Sequence, residues 1–156
     1  PLFHDPILLV SSPQAPWADR AWLSPVDLSR LPMICYRRGT QFRNFVDAHF
    51  DAAGITVNEV MEFDSHEAVK TMVALGFGIA ALPETAVRED LEKGRLITLS
   101  VRGLRPVSRI TSVIIRRDHP RSGAVGNFLQ LLRRTFPAAR DAVSEPPPSA
   151  PSPPLP

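Results

Sequence analysis

Met72-Val73-Ala74-Leu75-Gly76-Phe77-Gly78-Ile79-Ala80-Ala81-Leu82-Pro83 decides how this chain folds. Val69, Met72, Val73 and Gly76 stand at i, i+3, i+4 and i+7, the spacing of one buried helix face. Gly76 stops that helix. Gly78 to Leu82 is a run of small apolar residues, which reads as a buried strand. Pro83 sits where a first helical residue is wanted and opens another helix through about Leu91, closed by Lys93-Gly94. Gly76 to Ala81 also fits GxGxxA, but a dinucleotide fingerprint needs strand, glycines, helix in that order. Here the order is helix, glycines, strand, so the glycines read as structural: Gly76 ends a helix and Gly78 lets the strand pack closely.

Working outward, helix and strand signals keep alternating. On the N-terminal side, Val57 to Phe63 reads as a strand, and Asp64 with Glu67 resembles a capping box for the helix that follows. Before it, Phe42, Phe45, Val46, His49, Phe50 and Ala53 mark one helix face. Thr40 is its expected cap and Gly54 its expected left-handed terminus. Met33 to Tyr36 and Ile7 to Val10 are short apolar strands, with Pro13, Pro16 and Pro25 in a loop between them. On the C-terminal side, Leu96 to Val101 and Arg109 to Arg116 read as strands. Ser122 is the expected cap of a last helix, whose stripe is Val125, Phe128, Leu129, Leu132 and Phe136. Strands alternating with helices of this length define an α/β domain and imply parallel pairing through crossovers.

The 156 residues allow about one domain or two small lobes. Of 17 prolines, seven fall after Val143, so that tail is expected to be a disordered, Pro-rich spacer. The single cysteine, Cys35, excludes a disulfide framework and sits in an apolar strand as a small core residue. The longest nearly apolar run, Met72 to Leu82, is far short of the ~20 residues a membrane helix needs. Pro1 to Asp5 lacks the basic start of a secretory signal, so no membrane partner and a cytoplasmic location are expected. The chain does not open on Met, which reads as a fragment or a processed product. Net charge is +2, yet Arg102 to Arg140 holds nine arginines against Asp118 alone, +8, leaving −6 elsewhere. Those arginines are not interleaved with aromatics and have no helix-turn-helix spacing. With 16 of 18 basic residues Arg, the bias reads as compositional rather than as a DNA footprint.

No motif for catalysis stands out. GxSxG, HExxH, P-loop and SxxK patterns are absent from the sequence, and His4, His49, His66 and His119 have no metal-ligand spacing. His49, on the apolar side of its helix, reads as a packed boundary residue. Ser65 and His66 are adjacent on one helix start, poor geometry for a nucleophile and its base. No enzyme, cofactor or metal is expected. A binding cleft is, because ligands of open α/β sheets sit beyond the carboxyl ends of the strands. The turns Arg37 to Gln41, Asp64 to His66 and Pro83 to Thr85 should share that edge. Two bring free helix N–H groups and one adds Arg37 and Arg38, candidate partners for a small anion. Capping and ligand binding use the same N–H groups, so Thr40 and Asp64 serve either reading.

The order of these motifs is familiar. Gly39 to Arg43 through Phe50 to Ile55, then Glu62 to Val69 leading into Met72 to Pro83, resembles the second lobe of the effector domain of LysR-type transcriptional regulators. Arg116 to Pro120 and Phe128 to Leu132 complete the pattern, so the likeness covers Pro1 to about Phe136. The resemblance implies an α/β fold like type 2 periplasmic binding proteins, with one complete lobe plus the returning strand and helix of an incomplete first lobe. By it, 1–11 is a crossover strand, 12–103 the second lobe, 104–140 the return strand and C-terminal helix, and 144–156 the tail. It implies a small-molecule effector met by Gly39, Thr40, Gln41, Phe42, Ser65 and His66. It also implies a homodimer or homotetramer at full length, and DNA contact only through a helix-turn-helix absent from this chain. A solute-binding receptor of the same fold, a transferase built on it and a truncated remnant are the alternatives. For a remnant, the last helix would expose its stripe and drive self-association.

Overall fold

The computed structural model describes residues 1–115 and 123–136. Among them the chain runs β1 (Phe3–Ser11), α1 (Pro25–Arg30), β2 (Pro32–Tyr36), α2 (Gln41–Ala52), β3 (Asn58–Phe63), α3 (His66–Ala74), β4 (Ala80–Pro83), α4 (Glu84–Glu92), β5 (Ile97–Thr98), β6 (Ser108–Thr111) and α5 (Gly123–Thr135). Two compact units result: Asp5–Arg109, and the chain ends, Pro1–His4 with the chain from Ile110 onward.

The larger unit is built on the alternation seen in the sequence. β2 and β3 pair in parallel, Pro32 opposite Asn58 and Tyr36 opposite Phe63. Ile79 continues the array: its N–H donates to Pro32 O at 2.9 Å and its carbonyl accepts from Ile34 N at 2.8 Å. One more parallel bridge joins Leu23 and Val101. β1 runs antiparallel to β4, Ile7 opposite Pro83 and Val10 opposite Ala80, and antiparallel to β5. β6 pairs with β1 as well. The expectation of uniformly parallel pairing is therefore corrected. β1 is apolar on both faces at Leu9 and Val10, and such a run carries no mark of its direction. Ile34, Val69, Val73, Ile79, Leu82 and Val87 meet in a fully buried core, as apolar stripes of helices packed on a sheet require.

Gly78 confirms its close-packing role. A Cβ built there would lie 2.5 Å from Pro32 O and 3.3 Å from Ile34 Cγ1. Gly76 ends α3 with φ +83°, a conformation glycine adopts without cost. Thr40 caps α2, its hydroxyl accepting from Arg43 N at 3.2 Å.

Several boundaries differ from expectation. Ser65, not Asp64, caps α3, its hydroxyl accepting from Ala68 N at 3.2 Å. The cap moved because Asp64 is drawn into an ion pair with Arg37. Pro83 is the cap of α4 and the last residue of β4, rather than the first helical residue. The expected loop around Pro25 holds α1, whose Ser24 and Asp27 form a reciprocal capping box. The strand expected over Leu96 to Val101 shrinks to Ile97–Thr98, and that over Arg109 to Arg116 to Ser108–Thr111. Arg116, Ser122 and the tail from 144 lie outside the described residues.

In the smaller unit, Leu2 N donates to Thr111 O at 2.5 Å and Phe3 stacks on Phe136 with ring centroids 5.3 Å apart. α5 buries none of its residues, and Phe128 and Leu131 are both 58% exposed.

Candidate functional site

The carboxyl ends of β2 and β3 carry two helix starts side by side. Tyr36 is the last residue of β2 and His66 the first of α3. Their side chains meet in a short hydrogen bond between the Tyr36 hydroxyl and His66 Nδ1. Phe42, in the first turn of α2, packs edge-on against both rings, with centroids 4.7 Å from Tyr36 and 5.8 Å from His66. Tyr36 and Phe42 are buried, and His66 is half-buried. This aromatic triad fixes the distance between the starts of α2 and α3.

Burial raises the Tyr36 hydroxyl above its ordinary value and lowers His66, with the nearby Arg109 guanidinium adding to the depression. Both groups are thus held neutral. A neutral phenol donates to Nδ1, which assigns the ring proton to Nε2. The capping hydroxyls of Thr40 and Ser65 serve Arg43 N and Ala68 N. The first helical N–H groups, at Gln41, Phe42, His66 and Glu67, remain without intrahelical acceptors, as at any helix start.

The charges around this edge are unequally committed. Arg37 lies 2.5 Å from Asp64 and Arg38 2.9 Å from Glu59. Both candidate anion partners are therefore engaged with carboxylates. Arg43 is buried at 3% exposure, with Asp47 at 2.7 Å, Glu59 at 2.6 Å and Tyr36 O at 2.9 Å. It is a structural tie between α2, β2 and β3, and its bond to Glu59 holds that carboxyl below its ordinary range. Lys70 bridges Glu67 at 2.9 Å and Asp90 at 3.0 Å.

Arg109 differs. Its guanidinium lies over the Phe42 ring, 5.7 Å from the centroid, and 3.7 Å from Asp5 Oδ2. That separation is an ion pair without a hydrogen bond. Asp5 is 1% exposed and is satisfied elsewhere, accepting from Thr85 N at 3.2 Å and Thr85 Oγ1 at 2.8 Å. Through Asp5 the third predicted turn, Pro83 to Thr85, is tied to this edge.

The structure thus brings Thr40, Phe42, Ser65 and His66 to one edge, with Gly39 on the turn beside them and Gln41 the first residue of α2. Reasoning from sequence missed Tyr36, Asp5, Arg43 and Arg109. Tyr36 closes an apolar strand, and the partners of the other three are distant in sequence. Among the described residues, no cluster of three or more His, Cys, Asp or Glu is placed to hold a metal ion. Burial pushes the Cys35 thiol up to about 11, which keeps it a protonated core residue. A cleft of about 510 Å³ lies elsewhere, lined by Ile7, Leu9, Val46, Phe50, Leu99 and Val101 with His49 and Arg105 beside them. None of the predicted site residues lines it. The polar, convergent edge is the better candidate because helix starts, hydroxyls and a cation meet there.

The fold is that of an α/β ligand-binding domain. The LysR substrate binding domain family matches residues 1–137, and the chain belongs to that family. It is 32% identical over 128 residues to the RuBisCO operon transcriptional regulator of Acidithiobacillus ferrooxidans, covering 80% of this chain and 41% of that one. The Synechocystis PCC6803 CcmR regulatory domain, solved in complex with 2-PG, superposes with a TM-score of 0.70 at 20% identity, over 87% of this chain and 65% of that one. The effector binding domain of QuiR, solved with shikimate, gives a TM-score of 0.65 at 17% identity, over 88% and 64%. Both share the type 2 periplasmic-binding-protein-like fold with this chain. The chain spans about two fifths of the length of the curated relative and just under two thirds of each solved domain. Among the described residues no helix is long and apolar enough to cross a membrane.

Proposed function

We propose that this chain is effector-sensing material of a LysR-type transcriptional regulator working in the cytoplasm. It binds a small anionic metabolite at the edge formed by Gly39, Thr40, Gln41, Phe42, Ser65 and His66. Residues 12–103 are the second lobe, 1–11 and 104–140 the crossover strand and the returning part of the first. DNA contact and assembly as a homodimer or homotetramer belong to the full-length regulator. The observation that carries the reading is the pair of helix starts clamped together by Tyr36, Phe42 and His66. Backbone N–H groups at helix starts favour an anion there. Small acids such as those bound by the two solved relatives are the expected class. Occupation would shift the conformational populations of the domain, the general route by which a ligand reaches a distant head.

The test is ligand-dependent thermal shift of the 156-residue chain with a panel of small carboxylates. Each cap removed costs about 1 kcal/mol by itself, so the readout is the shift between ligand-free and ligand-bound protein, not the absolute melting point. A responsive acid should lose its effect in Thr40→Val with Ser65→Ala. An unchanged response in that double variant would sink the proposed site.

A further inference from the structure

We propose that Arg109 is the residue that receives the effector's acidic group, and that the group is a single carboxylate. The proposal rests on the effector-binding reading given above and assigns it a specificity-determining residue. Arg37 and Arg38 are the arginines nearest the helix starts in sequence, but their guanidinium groups are bonded to Asp64 and Glu59. Arg43 is buried among Asp47, Glu59 and a carbonyl. Lys70 is shared by Glu67 and Asp90. Among the described residues the Arg109 side chain makes no hydrogen bond. It is 43% exposed and lies over Phe42, itself in the first turn of α2. The planar guanidinium fork matches a carboxylate with two parallel N–H bonds.

Position and charge set the class. Phe42, itself buried, supplies a flat apolar support beneath the guanidinium and fixes it beside the start of α2. Asp5 stands 3.7 Å from Arg109, beyond hydrogen-bond distance, while its two oxygens accept from Thr85. Arg109 can therefore turn its N–H groups to a ligand while Asp5 keeps its own hydrogen bonds. The local charge is small. His66 is neutral, Arg37 is cancelled by Asp64, and Asp5 offsets part of Arg109. Less than one unit of positive charge is left there, so a monoanion is attracted while the second charge of a dianion would face Asp5 uncompensated. A monocarboxylate is favoured over a phosphate dianion.

The experiment uses the 156-residue chain, ¹⁵N-labelled and titrated separately with benzoate, neutral benzamide and inorganic phosphate. Expected are shifts of the Arg109 Nε–H signal and of the Phe42 and Glu67 amides with benzoate. Benzamide and phosphate should bind at least tenfold more weakly. Arg109→Gln should weaken benzoate about tenfold or more, Arg109→Lys by an intermediate factor, and Arg37→Gln or Arg38→Gln by less than twofold. Because Arg109 is half-exposed, Arg109→Lys retains the fold-supporting charge if Arg109→Gln does not fold. Benzoate binding that is lost in Thr40→Val with Ser65→Ala but unchanged in Arg109→Gln overturns this proposal and leaves the effector site standing. Phosphate binding as tight as benzoate overturns the carboxylate assignment. No response to any probe overturns both readings together.

Discussion

Gly78→Ala is expected to destabilise this fold more than a methyl added at any of its open turn glycines. The new Cβ would stand 2.5 Å from Pro32 O and 3.1 Å from Pro32 C, where ordinary contact begins at 3.4 Å. The two segments must therefore open by about 0.9 Å. Neither atom of the obstacle is the end of a flexible side chain, since both belong to the backbone of β2. Opening the gap stretches two hydrogen bonds, Ile79 N to Pro32 O at 2.9 Å and Ile34 N to Ile79 O at 2.8 Å. Overpacking of a tight core costs about 1–3 kcal/mol, and each weakened bond adds roughly 0.5–1.5 kcal/mol. The stiffer unfolded chain returns about 0.4–1 kcal/mol. At the midpoints of these ranges the net loss is about 3 kcal/mol, or roughly 10–20 °C in melting temperature for a unit of this size. Gly76→Ala is the control: it meets no atom within 4 Å but carries φ +83°, so it should lose only about 1–2 kcal/mol through left-handed strain. Urea denaturation of the two variants beside the parent chain measures both. Gly78→Ala within about 0.5 kcal/mol of the parent, or milder than Gly76→Ala, would refute the packing argument.

Arg43→Met should cost about 2–4 kcal/mol in urea melts, because it leaves Asp47 without its cation and Glu59 with Arg38 alone; this falls below the roughly 3–5 kcal/mol of fully buried pairs since both carboxylates reach solvent. The same variant should flatten the acid limb of stability. Arg43 holds Glu59 below its ordinary 4.5, so its contribution is present above that pH and is lost as pH falls toward the lower folded value. His66, depressed by burial and then by Arg109, should titrate below its ordinary 6.5 by NMR, and Arg109→Gln should raise the midpoint. Its share of stability is present above pH 6.5 and lost as pH falls from there to the folded value. An unshifted His66 would contradict the packed, neutral ring. Light scattering of the chain should show concentration-dependent association that Phe128→Glu with Leu131→Glu reduces, because α5 leaves both residues 58% exposed; a monodisperse monomer would contradict this.

Local signals are legible in the sequence wherever structure depends on neighbours along the chain. Thr40 caps α2, Gly54 and Gly76 take left-handed conformations, and Gly78 permits a close strand. Each depends on sterics or a hydrogen bond within a few residues or on one residue's missing side chain. α1 was legible too, since Ser24, Pro25 and Asp27 make a capping box with Pro inside the first turn, but the nearby prolines outweighed it. The shift of the α3 cap from Asp64 to Ser65 was not legible, because its cause is an ion pair with Arg37, 27 residues away. Strand direction was hidden for the same kind of reason: the apolar runs Ala80 to Leu82 in β4 and Ile7 to Val10 in β1 look alike whichever way they pair. No residue near Ala81 marks that its partner, Leu9, arrives antiparallel.

The site shows the same division more sharply. Turn residues at the strand ends follow from topology, so Thr40, Ser65 and His66 could be placed by counting elements, while Phe42 followed from the family resemblance. Which cation faces a ligand cannot be counted, because it depends on which cations are already bound. Arg37 and Arg38 flank the helix start in sequence and are consumed by Asp64 and Glu59. Arg109 arrives from β6, far beyond Phe42 in sequence, and stands 3.7 Å from Asp5, outside hydrogen-bond distance, while Thr85 donates to both Asp5 oxygens. An edge whose other cations are paired has one place where a new negative charge gains more from the protein than it disturbs. That place lies over Phe42, and it joins the start of α2 to β1 and β6, the two strands that lead out of the larger unit toward the chain ends.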